Sequence, residues 1–194
     1  MLRFTWGQTR LTLTFGFAAV LAAVFVFEPL QPAAAGVFCV IWHELGHLAA
    51  LAAVGNPPAQ VRMTVLGIEI RRQSPCGYAR ALAISLAGPL ANLLAAGVLA
   101  FFQETQEIAR LHMMLGCFHL LPVLPLDGGQ ALESFLSVFL SRPYAEKISF
   151  AVSWVLLVPM GVLGFLFLFS ETPNPGLMVL CLYLLFYLVF GQRE

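Results

Sequence analysis

Charged residues are scarce in this sequence. Aspartate, glutamate, lysine and arginine make up 10% of the 194 residues, whereas soluble domains carry about 25%. The ten basic and ten acidic residues cancel, so no excess of positive charge indicates a nucleic-acid partner. The four cysteines stand apart without a C-x-x-C pair, which indicates neither a zinc knuckle nor a disulfide framework.

Long apolar runs take the place of charge. Apolar residues make up 60% of the chain, and a helix that crosses a bilayer needs about 20 consecutive apolar residues. We therefore predict an all-α polytopic membrane protein that forms one transmembrane domain over residues 1–194. The apolar runs predict six transmembrane helices, at residues 11–27, 33–54, 79–102, 108–126, 148–170 and 176–191.

The basic residues orient these six helices. If the N-terminus is cytoplasmic, Arg110 alone falls on the outer side, and every other lysine and arginine lies on the cytoplasmic side, as the positive-inside rule requires. Both termini are then cytoplasmic. A secretory signal peptide is the alternative for residues 1–35, which contain two arginines, an apolar run and the alanines 33–35, although Glu28 and Pro29 interrupt that run.

The segment VRMTVLGIEIRR, residues 61–72, differs from the apolar runs. Residues 68–71 alternate between apolar and polar, and β-branched residues are frequent, which is typical of a short strand. Gly67 indicates a nearby turn. We expect one or two strands here, forming a short membrane-associated β-hairpin, and an ordinary cytoplasmic loop is the alternative.

Ionisable side chains interrupt the second apolar run, VFCVIWHELGHLAALAA, at His43, Glu44 and His47. A charge at the centre of a spanning helix costs at least about 2.5 kcal/mol, so such residues are candidates for function. Residues four apart lie on one face of an α-helix. The two imidazoles can therefore bind one metal ion, and Glu44 can reach a metal-bound water, as in the H-E-x-x-H arrangement of zinc proteases.

A third ligand must come from elsewhere, because a catalytic zinc usually has three protein ligands and one open position. Asp127 is the candidate, in LLPVLPLDGG, where two prolines precede it and two glycines follow. Broken helices at membrane depth line protein or water-filled cavities. His47 lies about 10 Å from the inner end of its helix, and Asp127 lies at an inner end too. The alternative is that Asp127 caps the helix that starts near Gly128.

Three further polar residues lie in or beside the predicted spans. Asn92 in AGPLAN and His119 in FHLLP are candidates to donate a hydrogen bond to the substrate or to a developing oxyanion. An inter-helix hydrogen bond is an equal alternative for Asn92. His119 is alternatively a spare ligand or an interior histidine with its hydrogen bonds satisfied. We interpret His112, next to the outer boundary, as structural.

Together, HELGH, AGPLAN and LLPVLPLDGG resemble the three motifs of the site-2 protease family of intramembrane zinc metalloproteases, and they occur in the family's order. The resemblance implies one Zn²⁺ per chain, with His43, His47 and Asp127 as ligands and Glu44 as the general base on a zinc-activated water. The chain looks most like the sporulation-protease subgroup, without a PDZ or CBS domain. The family usually has asparagine where this sequence has His119. This departure concerns how the substrate backbone or the oxyanion is bound, and it does not affect the metal ligands.

The resemblance also implies a substrate class. Family members cleave a membrane-anchored protein within or near its transmembrane segment, such as a transcription factor, a sigma or anti-sigma factor, or a signal-peptide remnant. We expect a bacterial cell membrane, a site nearer its cytoplasmic side, and control by a separate membrane regulator or by prior trimming of the substrate. Two other interpretations stay open: a zinc carrier or channel, and an inactive relative that binds or chaperones membrane proteins.

Overall fold

Seven α-helices and one four-stranded sheet account for most of the chain in the computed structural model, which describes residues 2–6, 9–64, 67–170 and 175–190. The chain forms two compact units, residues 1–118 and 119–194. The first unit contains β1 (Leu2–Trp6), β2 (Thr9–Leu13), α1 (Phe15–Phe27), α2 (Leu30–Ala53), β3 (Pro58–Thr64), β4 (Gly67–Arg72), α3 (Tyr78–Leu99) and α4 (Gln106–His119), whose last residue opens the second unit. The second contains α5 (Asp127–Phe139), α6 (Arg142–Phe167) and α7 (Gly176–Phe190).

Three of these helices, α2, α3 and α6, are long and apolar enough to cross a membrane. The mostly helical fold with apolar spans is therefore confirmed, but the count of six transmembrane helices is not. Helices α1 and α7 are apolar but have 13 and 15 residues, and 13 residues rise only about 20 Å. The predicted fourth span is helical only to His119, because the two prolines that follow cannot continue the helix.

The sheet is larger than the predicted hairpin. Strands β3 and β4 pair antiparallel, from Pro58 opposite Arg72 to Thr64 opposite Gly67, which confirms the strands expected in residues 61–72; the turn between them lies outside the described residues. The sequence pattern does not predict β1 and β2, which pair with each other antiparallel, and β2 runs parallel to β3. The strand order is β1-β2-β3-β4, so β1 and β4 form the two edges.

Small residues bring α2 and α3 into close contact. A Cβ added to Gly46 would lie 2.7 Å from the carbonyl oxygen of Ala87 and 2.8 Å from the Cβ of Ala91. Alanines at four-residue spacing on α3 allow this approach, as small residues do between helices in lipid. The Trp42 indole also donates a hydrogen bond to the Ala91 carbonyl, at 3.0 Å. The close contact therefore fixes which side of α2 faces α3.

In the second unit, residues 120–126 fold back over the start of α5. A Cβ on Gly128 would collide with the carbonyl oxygens of Leu120 and Leu121, and one on Gly129 would lie 2.6 Å from the backbone of Leu124. The Leu124 amide donates to the Ser153 hydroxyl of α6, at 2.9 Å. The two glycines therefore let the loop pack tightly, and α6 anchors it.

Replacing Gly46 by Ala should separate α2 from α3. Overpacking a tight contact typically costs about 1–3 kcal/mol, so we expect a lower unfolding temperature in detergent micelles. Gly36→Ala is the matched control on the same helix, because a Cβ there meets nothing within 4 Å and alanine favours a helix. If both variants unfold at the same temperature, the contact at Gly46 does not limit the packing.

Stability should also depend on pH through Glu133 of α5. Burial raises the pKa of the Glu133 carboxyl above its ordinary value of 4.5, the charge of Glu146 raises it further, and Arg142 opposes both. Ionised Glu133 is thus disfavoured in the folded state, which loses stability as the pH rises from about 4.5 through the raised pKa.

Glu133→Gln removes this effect. We expect the variant to unfold at a higher temperature than the wild type near pH 8, with the difference vanishing below pH 4.5, as measured by thermal unfolding across that range. The same change at the exposed Glu107 is the control. A difference for Glu133→Gln that is constant with pH would contradict the assignment.

Candidate metal centre

Helix α2 presents both histidines of HELGH on its buried face. Cys39, His43, His47 and Leu51 follow one another at four-residue spacing, and all four are buried. This is the spacing that places side chains in a row along one side of an α-helix. The prediction that His43 and His47 lie side by side is therefore confirmed.

The two imidazoles direct the same nitrogen towards each other. His43 Nε2 and His47 Nε2 are 3.1 Å apart, and the rings meet edge to face at 75°. Two nitrogens bound to one tetrahedral zinc at 2.0–2.1 Å would be about 3.3 Å apart. The pair is therefore spaced as two ligands of one ion.

Each imidazole has a partner at its other nitrogen. His47 Nδ1 donates to the carbonyl oxygen of Ile84, at 2.8 Å, and His43 Nδ1 lies 3.2 Å from the side-chain amide of Asn92. Both partners lie on α3. Metal-binding histidines usually hydrogen bond through the second ring nitrogen, which fixes the ring and its tautomer. The donor set and its supports thus fit a transition metal such as zinc.

Gly88 of α3 makes room for the two rings. A Cβ at this position would collide with His47 Nε2 and lie 2.7 Å from His43 Nε2, so a larger residue would occupy the space in front of the ligand nitrogens. Pro89 follows; it has no N–H for the carbonyl of Ser85. The GP of AGPLAN therefore shapes the wall that faces the histidines.

Asn92 and His112 extend the hydrogen bonding of His43 further into the first unit. Both side chains are fully buried, and His112 Nδ1 lies 3.0 Å from Asn92 Oδ1. The Asn92 amide therefore joins the imidazoles of His43 and His112. The position of His112 near the outer boundary favours a structural interpretation, although a polar residue inside a predicted span is itself a signal of function.

Glu44 follows His43 directly on α2 and is half-buried. Its neighbours on α2 are mainly apolar and include the exposed Ile41 and Leu45. The carboxylate is thus placed beside the imidazole pair on an otherwise apolar helix. Its role as a base stays a prediction.

In the second unit, Asp127 and His119 form a pair. Asp127 is the first residue of α5, and His119 Nδ1 donates to its Oδ2 at 2.8 Å. The tight loop over Gly128 and Gly129 brings the two together across eight residues of sequence. Asp127 thus has a fixed carboxylate at a helix start, and His119 has a partner for one ring nitrogen.

Comparisons with known proteins support the resemblance that the motifs indicate. The chain is 27% identical over 138 residues to a zinc metalloprotease of Methanocaldococcus jannaschii, an alignment that covers 66% of this chain and 40% of that protein. The chain therefore spans less than half the length of this curated relative. No protein-family model matches the sequence.

A solved structure extends the comparison to the fold. The site-2 protease from Methanocaldococcus jannaschii superposes with a TM-score of 0.72 at 23% identity, over 100% of this chain and 95% of that chain. The assignment to the sporulation-protease subgroup stays a prediction. The resemblance to the site-2 protease family is confirmed: the chain is similar in sequence to a zinc metalloprotease and has the fold of a site-2 protease.

Proposed function

We propose that this chain is an intramembrane zinc metalloprotease that cleaves a membrane-anchored protein within or near its transmembrane segment. The observation that carries the proposal is the imidazole pair of α2, whose Nε2 atoms are 3.1 Å apart on a helix apolar enough to span a membrane. The similarity to a zinc metalloprotease and to a site-2 protease supports it. An H-E-x-x-H pair in lipid has no evident structural use, because buried polar groups there are costly.

The zinc ligands in this proposal are His43, His47 and Asp127. Each histidine is already oriented through its Nδ1 atom. Asp127 is the first residue of α5, and His119 Nδ1 donates to its Oδ2 at 2.8 Å, which orients the carboxylate. Two imidazoles and one carboxylate are a common ligand set of catalytic zinc, which keeps a fourth position open.

Glu44 acts as the general base. A zinc ion held by these ligands would lower the pKa of a water and polarise the scissile carbonyl. Glu44 is next to a ligand in sequence and accepts the proton of the attacking water, a role that typically contributes about 10²–10⁴-fold to the rate.

The substrate must expose an extended segment. A peptide bond in a transmembrane helix is shielded by the helix's own hydrogen bonds, so local unwinding precedes cleavage. Strand β4 is at the edge of the sheet, and an unwound segment can add to such an edge as a further strand. A membrane-tethered transcription factor, a sigma or anti-sigma factor, or a signal-peptide remnant would each supply such a segment.

The proposed setting is a bacterial cell membrane, with both termini in the cytoplasm and the site nearer the cytoplasmic side. With all six predicted spans crossing the membrane, the distribution of lysine and arginine supports this orientation. Control through a separate membrane regulator, or through prior trimming of the substrate, belongs to the same proposal.

Replacing Glu44 by Gln should stop cleavage and leave zinc bound. Glutamine keeps the size of the side chain but cannot accept the proton, so we expect at least a 100-fold slower cleavage with an unchanged zinc content. The assay is cleavage of a co-expressed membrane-tethered substrate, and zinc is measured by elemental analysis. Glu104→Gln, at an exposed carboxylate, is the control, and undiminished cleavage by Glu44→Gln would reject the proposal.

Replacing His119 by Ala should weaken zinc binding by about 10–100-fold, because the loss of a hydrogen bond to a metal-binding carboxylate has this typical effect. Competition with a chelator measures the affinity. His119→Asn places there the residue that the family usually has, and its amide can still donate to Asp127, so we expect most of the affinity to return. Equal affinity of the alanine variant and the wild type would show that Asp127 needs no help from His119.

A further inference from the structure

The Asn92 side chain joins two imidazoles in the interior of the first unit. Its amide nitrogen Nδ2 is 3.2 Å from His43 Nδ1, and its amide oxygen Oδ1 is 3.0 Å from His112 Nδ1. All three side chains are buried, and Asn92 and His112 have no exposed surface. Each polar atom of Asn92 therefore has a neighbour, and the amide spans the gap between α2 and α4.

The distances are compatible with two arrangements of protons. In the orientation that the structure shows, the amide nitrogen faces His43, so that histidine accepts at Nδ1 and its neutral ring carries the proton at Nε2. If the amide turns so that its oxygen faces His43, Nδ1–H donates to it and Nε2 is unprotonated. A half-turn of the amide exchanges its oxygen and nitrogen, so the same distances serve both arrangements.

Only the second arrangement lets His43 bind a metal. The carbonyl oxygen of Ile84 can only accept, so His47 carries its proton at Nδ1. Its Nε2 is therefore unprotonated, and it lies 3.1 Å from His43 Nε2. For His43 to match it, the Asn92 oxygen must face Nδ1. The amide nitrogen then points to His112, whose Nδ1 must accept.

We propose that Asn92 and His112 are positioning residues for the metal ligand His43. With the amide turned by half a rotation, His112 accepts at Nδ1 from the Asn92 amide nitrogen and so holds the amide oxygen towards His43 Nδ1, which fixes the tautomer with an unprotonated Nε2. The inference rests on the proposed zinc site. It gives Asn92 a role distinct from donating to an oxyanion, because both ends of the amide are already engaged.

The cost of burying His112 supports this role. Its Nε2 atom is buried and has no hydrogen-bond partner among the described residues, and an unsatisfied buried polar atom costs about 1–3 kcal/mol. Phe38 packs edge to face against the ring, at 5.9 Å between centroids, a contact that phenylalanine could make equally well. The imidazole therefore has one feature that an apolar ring lacks, the polar Nδ1 atom that hydrogen bonds to the Asn92 amide.

Two replacements of Asn92 separate positioning from other roles. Asn92→Leu has nearly the same size and no polar atoms, and we expect its zinc affinity to fall about 10–100-fold. Asn92→Asp can only accept, so it keeps His43 Nδ1 protonated, and its zinc affinity should stay within a few-fold of wild type. Chelator competition on the full-length protein in detergent measures both, and unfolding temperatures establish that the variants are folded.

His112→Phe tests the far end of the arrangement. It preserves the contact with Phe38 but removes the acceptor, and we expect a several-fold loss of zinc affinity that is absent when Asn92→Asp is already present, since aspartate needs no orientation. ¹⁵N NMR of the zinc-loaded wild type should show the proton of His43 on Nδ1.

Wild-type zinc affinity in Asn92→Leu, or an unprotonated His43 Nδ1 in the zinc-loaded protein, would overturn the inference. His47→Ala distinguishes this failure from failure of the proposed function. If His47→Ala binds zinc as tightly as the wild type, the zinc site itself is wrong; if it loses zinc while Asn92→Leu does not, only the positioning role is wrong.

Discussion

The contact between α2 and α3 determines what the histidine pair can do. One α-helix places His43 and His47 in a row, but the second helix decides where the rings point. Ile84 and Asn92 engage the Nδ1 atoms, and Gly88 clears the space in front of the Nε2 atoms. Without this contact, two flexible imidazoles would lie on a lipid-facing helix with no fixed direction.

The close approach of the helices depends on residues without large side chains. Gly46 and Gly88 lie at the point of contact, where a Cβ would meet the opposing backbone or the histidine rings. In lipid, helices associate through such packing because the surrounding chains are as apolar as the side chains. The same device recurs in the second unit, where Gly128 and Gly129 admit the loop that precedes α5.

Much of this could be predicted from the sequence, and the limits have physical causes. The pairing of His43 with His47 follows from helical spacing alone, and the break before Asp127 follows from its prolines and glycines. Strands β1 and β2 were missed because residues 2–13 lead into an apolar run, and because β2 joins the sheet by pairing with β3, a contact remote in sequence. The role of the Asn92 amide depends on α4, which spacing within one helix cannot reveal.

The most direct test of the account is X-ray absorption at the zinc edge of the purified, zinc-loaded protein. The spectrum counts ligand types, and the account predicts one zinc per chain with two imidazoles and oxygen ligands, at about 2.0–2.2 Å. In the Asp127→Ala protein, this zinc spectrum should be absent, or the protein should bind less than one zinc per chain. A wild-type spectrum with fewer than two imidazoles, or one that Asp127→Ala leaves unchanged, would contradict the assignment of His43, His47 and Asp127 to a single zinc ion.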